Sequence, residues 1–260
     1  MDVLKQNGVP IYYQLKEIFI EKIETGEWGI GDSIPNELDL CKQYGVSRGP
    51  VRMALDILTR MGIITRKQGK GTFVLPPKLE SELISFYSFT SLIRQAGLIP
   101  SSKILDFSLE KVKNNIAKYL NINTGDSCHK IIRLRLANDN PLILETIYVP
   151  QVIAPTLSQS NVASRSLNEI LSTDYAAIPV RARQFFEPSI ADEYEATKLS
   201  VLKGAPVLLI QNTTFDTKDR TIIFSKAIMR GDRVRYFVDL NTKIDLPTRK
   251  QATLEVISDK

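Results

Sequence analysis

Two short helical patterns that abut at Gly45-Val46-Ser47 constrain this chain more than any other feature. Upstream, Pro35-Asn36-Glu37-Leu38-Asp39 reads as a helix start, with Asn36 as N-cap and acidic residues in the first turn, where the helix dipole favours them. Leu38, Leu40, Cys41 and Tyr44 supply apolar contacts, and Gly45 closes the helix. Val46 alone then separates Gly45 from Ser47, a second N-cap candidate. Pro50 follows in the first turn, where its missing N–H costs nothing. Val51, Leu55 and Leu58 share one face of this second helix, which ends at Met61-Gly62. Two short helices joined by a tight turn around a glycine form a helix-turn-helix, whose second helix presents its N-terminal part to a major groove.

The flanks extend that unit. Behind Pro10, Ile11, Leu15, Ile18, Phe19 and Ile23 recur at helical spacing as far as Gly26. Downstream, Ile63-Ile64-Thr65-Arg66 and Thr72-Phe73-Val74-Leu75 are β-prone runs around Lys67-Gln68-Gly69-Lys70-Gly71, a hairpin by composition. The Gly-Lys-Gly turn invites a nucleotide-cradle reading. A phosphate loop needs GxxxxGK followed by Ser or Thr at a strand-to-helix junction, whereas GKGT here leads into a strand. A hairpin after a helix-turn-helix is a wing.

Charge is distributed accordingly. Residues 1–46 carry four Lys/Arg against eight Asp/Glu, while 47–78 carry seven Lys/Arg against Asp56 alone, although the whole chain is only +5. Such a local excess attracts a phosphate backbone. Arg48 and Arg52, four apart, lie on one helix face and can reach base edges or phosphates together. Together with the two N-cap residues Asn36 and Ser47, and with Lys67, Gly69 and Lys70 of the wing, they are the candidate DNA-binding residues.

At 260 residues the chain accommodates two domains. The expected division is a winged helix-turn-helix over 1–75, a proline-marked linker at 76–82, a second domain over 83–245 and a tail over 246–260. The sequence has no run of about 18 apolar residues and no signal-like start, so a soluble, cytoplasmic protein without a membrane partner is expected. Cys41 and Cys128 lack metal spacing, and His129 is the one histidine; neither a metal site nor a cofactor is expected. Cys128 and His129 sit side by side, so on a strand they face opposite ways, and both read as structural.

In the second half, helices fit Phe86–Ala96, Val112–Leu120, Ser166–Leu171 and Ile190–Leu199. Strands fit Ile104–Leu109, Lys130–Ala137, Leu142–Val149, Val180–Phe186, Val207–Phe215, Ile222–Met229 and Tyr236–Leu240. Asn138-Asp139-Asn140-Pro141 marks a hairpin. Hairpins without a βαβ repeat predict an α+β domain with an antiparallel sheet. Within it, Arg133 and Arg135 share a strand face opposite Ile132, Leu134 and Leu136. Two arginines about 7 Å apart repel unless an anion or a carboxylate intervenes. Glu145 on the partner strand is a candidate for the counter-charge or for a ligand contact; an exposed charged face is the alternative.

The run from PIYYQLKEIFIEKIETGEW through GDSIPNELDLCKQYGVSRGPVRMALDILTRMGIITRKQGKGTFV resembles the winged-helix domain of GntR-family bacterial transcription regulators. The resemblance implies base and phosphate contacts from Arg48 and Arg52 and a wing tip at Gly69 entering a minor groove. It departs at PNEL, where the family has PSER, so Leu38 stands in place of an arginine. The remainder resembles the HutC-type branch, with a chorismate-lyase-like (UTRA) effector domain that commonly forms the dimer. SFT, KIIRLRLANDNPLILE and KGAPVLLI are similar to the repressors of N-acetylglucosamine utilisation, whose effectors are amino-sugar phosphates. By that resemblance Thr90 with its neighbour Phe89, Arg133, Arg135 and Ser166 surround a phosphate, and Glu145 contacts the sugar. Ile223 and Met229 stand where those relatives carry a glutamate and a tyrosine, which implies a phosphorylated ligand of different shape. The expected partners are a palindromic double-stranded operator, a small anionic metabolite and a second copy of the chain. The fold is shared with a lyase, but the chain offers no nucleophile-base pair or metal set, and catalysis is not expected.

Overall fold

A computed structural model describes residues 8–82 and 89–238. Near the N-terminus, α1 (Ile11–Glu24) buries Leu15 and Phe19. After a turn, β1 (Ser33–Ile34) precedes α2 (Glu37–Tyr44) and α3 (Arg48–Arg60), and β2 (Ile64–Lys67) and β3 (Gly71–Val74) follow. Asn36 caps α2 by accepting from the Leu38 and Asp39 N–H groups, and Gly45 ends it in the left-handed conformation (φ +66°). α3 buries Val51, Ala54, Leu55 and Leu58 against α1 and α2, leaving its opposite face to solvent. The three strands form a sheet in the order β1-β3-β2. β1 was not foreseen: at two residues, it has no periodicity to read.

The second unit is built on a six-stranded antiparallel sheet. It comprises β4 (Leu79–Glu82), α4 (Phe89–Gln95), β5 (Pro100–Lys111), α5 (Asn114–Leu120), β6 (Ser127–Ala137) and β7 (Asn140–Pro150). These are followed by α6 (Gln159–Ser164), α7 (Leu167–Asp174), β8 (Pro179–Ile190), α8 (Glu193–Leu199), β9 (Pro206–Asp216), β10 (Thr221–Arg230) and β11 (Val234–Phe237). The sheet order is β5-β6-β7-β10-β9-β8. Asn138 and Asp139 both take positive φ (44° and 61°), the conformation that a two-residue hairpin turn requires. Alternation along the strands divides the packing. One face carries Ile131, Ile147 and Ile223 against α6 and α7, and Ile143, Ala227 and Met229 against α4. The reverse face packs Cys128 and Phe224 against α5, and Leu134, Leu144 and Ile228 against α8.

Several element boundaries differ from expectation for identifiable reasons. The helix expected from Ile190 begins at Glu193, because Asp192 and Glu195 form a reciprocal capping box and Ile190 is still paired with Pro206. α6, six residues long and rich in serine and asparagine, carries no strong apolar stripe and went unpredicted. The first residues of the helix expected over 86–96, the end of the strand expected over 236–240 and the tail at 246–260 lie outside the described residues. The segment expected as linker is partly ordered pairing: β4 runs parallel to β11, with an Arg235–Glu80 ion pair between them.

The Arg230-Gly231-Asp232-Arg233 turn joins the two units. Arg230 chelates Asp232 (3.0 and 2.6 Å) and donates to the carbonyls of Pro141 and Leu199. Burial would raise the Asp232 carboxyl, but Arg230 and Arg233 outweigh it and hold it below the ordinary range. Lys78 donates to the Gly231 carbonyl at 2.6 Å. Gly62, at the end of α3, approaches the same turn so closely that a Cβ there would lie 2.1 Å from the Asp232 carbonyl oxygen.

Candidate nucleic-acid and effector sites

The tight α2–α3 turn brings the start of α2, the start of α3 and the wing together. Glu37 lies 3.5 Å from Arg48 and 3.7 Å from Arg66, and Arg66 also pairs with Asp56 at 2.7 Å. Arg48 nevertheless remains 68% exposed, and Arg52 is exposed one turn further along α3. At the wing tip Lys67 and Lys70 are exposed, with the Lys67 ammonium 5.0 Å from the Phe73 ring centroid. Gly69 takes φ +70° and Gly71 φ +116°, conformations that a side chain would strain. Ser47 stands at the N-terminus of α3 with no side-chain cap bond, leaving its hydroxyl free to face outward. The Asn36 amide, by contrast, is engaged in capping and in a 2.6 Å bond to Asp39, and so fixes the start of α2. Leu38 is 55% exposed beside Glu37, at the same end of the domain. Exposed cations grouped around an open helix N-terminus and a bare-backbone wing tip suit a polyanion.

The second site lies on the sheet face covered by α4, α6 and α7. The antiparallel register sets Arg133 directly opposite Glu145, and the Arg133 Nε donates to the Glu145 carboxylate at 2.8 Å. Arg135, two residues on, approaches the same carboxylate at 3.7 Å and donates to the Ser102 hydroxyl at 3.3 Å. Its guanidinium carbon also sits 4.7 Å from the Phe89 ring centroid. Arg133 and Arg135 expose only 6% and 14% of their side chains, which disposes of the exposed-face alternative. Burial and the neighbouring Arg133 bring Arg135 down to about 10, still fully charged at neutral pH. Burial would raise the Glu145 carboxyl, yet the two guanidinium groups outweigh it and hold it below the ordinary carboxylate range. Two buried cations therefore share one buried anion. A buried charge without a counter-charge is expensive, so this arrangement leaves room for one more negative group.

The remaining expected residues are placed less directly. Thr90 follows Phe89 on α4 and is half-buried, and Ser166 stands at the start of α7 with no side-chain cap bond. Among the described residues no hydrogen bond links either to the arginines. Ile223 and Met229 are both buried on the arginine face, Ile223 in the cluster under α6 and α7 and Met229 with Ala227 in the cluster under α4. Ser102 was missed: it lies on β5, and nothing in a Ser-Ser pair signals that a strand register will set one hydroxyl opposite Arg135. Cys128 and His129 face opposite sides as expected. Burial pushes the thiol up to about 11, and His129 Nε2 bonds the Ala154 carbonyl at 2.9 Å, so neither is poised for chemistry.

Comparison with known proteins identifies both domains. Residues 11–74 match the family model of bacterial regulatory proteins of the gntR family, and residues 95–235 match the UTRA domain. The HTH-type transcriptional repressor NagR of Bacillus subtilis is 38% identical over 237 residues, covering 91% of this chain and 97% of the repressor. A probable fructoselysine utilization operon transcriptional repressor of Escherichia coli is 26% identical over 230 residues, covering 88% and 94% of the two chains. The crystal structure of PhnF from Mycobacterium smegmatis superposes with a TM-score of 0.62 at 23% identity, over 90% of this chain and all of that one. No helix among the described residues is long and apolar enough to cross a membrane. With an N-terminal winged helix joined to a UTRA domain, this chain belongs to the GntR family of bacterial regulatory proteins.

Proposed function

We propose that this DNA-binding transcription regulator is a homodimeric repressor that a phosphorylated, sugar-like metabolite releases from a palindromic operator. The observation that carries the reading is the buried pair Arg133 and Arg135 around the single carboxylate of Glu145. A phosphate supplies the missing negative charge and accepts several charge-assisted hydrogen bonds at once. Thr90, Ser166 and the Phe89 ring complete the pocket wall. Arg48, Arg52, Ser47, Lys67, Gly69 and Lys70 grip each half-site, and Asn36 holds the helix that orients them. Relatives named as repressors support the negative sign of control.

Release requires that the metabolite bind the DNA-incompetent arrangement more tightly, since equal affinity for both would shift nothing. Fluorescence anisotropy of the full-length protein on its own promoter, titrated with sugar phosphates, tests this directly. At least one phosphate ester should weaken DNA binding about tenfold or more, and Arg135→Ala should bind DNA normally without responding. A regulator indifferent to every phosphate ester at millimolar concentration would sink the reading.

A further inference from the structure

The arginine face of the sheet holds, among the described residues, a polar feature that the phosphate reading leaves unused. On β9, the Asn212 carbonyl oxygen is buried without a hydrogen-bond partner, while its amide nitrogen donates to the Thr214 hydroxyl at 3.0 Å. The register places Asn212 directly beside Ser225 of β10, itself 4% exposed. Ser225 in turn pairs with Ile147, and the next residue on the same face, Ala227, pairs with Glu145. The sequence from Arg133 through Glu145 and Ala227 thus runs across three strands and continues diagonally to Ser225 and Asn212. Ala227, the smallest side chain along that path, separates the charged from the neutral polar groups by a single methyl.

A buried carbonyl that has given up water and found no partner is penalised, and in a native fold it calls for an explanation. Strand spacing and rise set Asn212 roughly 12 Å of sheet from Glu145. Inorganic phosphate bound at the arginines cannot bridge that distance, whereas the carbon chain of a phosphorylated sugar can extend toward it. We propose that Asn212 and Ser225 form the specificity end of the effector site, with the Asn212 carbonyl accepting from a hydroxyl or amino group of the ligand remote from its phosphate. This rests on the anion-sensor reading above and names what distinguishes one phosphate ester from another. Ile223 and Met229 flank that path with apolar side chains on either side along β10, so the neutral recognition is concentrated in Asn212 and Ser225. One strongly oriented acceptor in an apolar wall discriminates sharply, because a ligand without the matching donor leaves it unpaired.

Isothermal titration of the full-length protein with inorganic phosphate, glucose 6-phosphate, fructose 6-phosphate, glucosamine 6-phosphate and N-acetylglucosamine 6-phosphate tests the assignment. The wild type should bind one of the esters at least about tenfold more tightly than inorganic phosphate. Asn212→Ala and Ser225→Ala should erase most of that preference while binding inorganic phosphate as the wild type does. Thermal unfolding without ligand provides a second measure: Asn212→Ala removes an acceptor that has no partner together with one bond to the Thr214 hydroxyl, so the midpoint should fall by only a few degrees, and a large fall would assign Asn212 a structural role instead. Esters bound no better than inorganic phosphate, or bound equally by Asn212→Ala and wild type, overturn the specificity assignment while leaving the anion site intact. Absence of binding by all five probes, or binding unaffected by Arg135→Ala, overturns the anion site itself and this assignment with it.

Discussion

The two regions of this chain both group arginines near a carboxylate, but in opposite ways. On the winged helix Arg48 and Arg52 stand in water, and Arg48 meets its carboxylate only at 3.5 Å. On the sheet Arg133 and Arg135 are buried and converge on one carboxylate. Exposed cations gain little from any single contact, but many together displace the counterion atmosphere of a long polyanion, so their effect is additive and sensitive to salt. Buried cations gain much from a single small anion, and screening hardly touches them. The same side chain therefore suits a polymer when solvated and a small anion when desolvated. Burial, more than residue type, separates the two roles.

Removing one member of the buried set should produce the largest effect. Glu145→Gln leaves Arg133 and Arg135 buried with no carboxylate between them, and the expected loss in unfolding free energy is on the order of 3 kcal/mol. Arg48→Ala on the solvated face should change stability by less than about 0.5 kcal/mol. The buried pair also carries a pH signature. Because the folded Glu145 carboxyl titrates below its ordinary value, its contribution is present above the unfolded carboxylate pKa, about 4.3, and is lost as pH falls through the folded one. Urea titrations at pH 7 and at pH 3 should show the wild-type advantage over Glu145→Gln shrinking in acid. An advantage that stays constant with pH would place the stabilisation outside the ion pair.

Next in size is the seam between the regions. Gly62→Ala meets both a strained backbone (φ +73°) and the Asp232 carbonyl oxygen at 2.1 Å, whereas Gly45→Ala at φ +66° meets only the strain, in open space. Gly45→Ala should therefore cost about 1 kcal/mol. Gly62→Ala should cost about 2 to 3 kcal/mol or push the winged helix off the turn. Calorimetry would distinguish these outcomes, since separated units unfold in two transitions. A single transition with equal losses for both variants would mean that the seam adds nothing to stability.

The two regions were unequally legible in the sequence. Caps, turn glycines and a compact charge excess are local signals, so Asn36, Gly45, Ser47 and the wing were placed almost to the residue. The arginine pair was legible through two-residue alternation, but its burial was not. Burial depends on α4, α6 and α7 covering that face, and nothing within β6 encodes which face receives the helices. Ser102, Asn212 and the Gly62–Asp232 contact were invisible for the same reason, as each depends on register or docking between segments distant along the chain. Pro76-Pro77 made the following residues look like a linker, yet their pairing with β11 is fixed by a strand more than 150 residues away.

The smallest effects discriminate within the solvated region itself. Lys70 stands at the wing tip, where an ammonium meets phosphate without reading a base. Lys70→Ala should weaken binding to all sequences alike and lower the slope of log K against log salt by about 0.9. Arg52 projects from α3 and can form paired bonds to a guanine edge, so Arg52→Ala should lose about 1 to 3 kcal/mol of discrimination at one base pair. Anisotropy titrations over several salt concentrations, on the operator and on single-base variants of it, separate the two quantities. If Lys70→Ala altered preference at one position while Arg52→Ala altered only the salt slope, the wing would be the reading element and α3 the anchor.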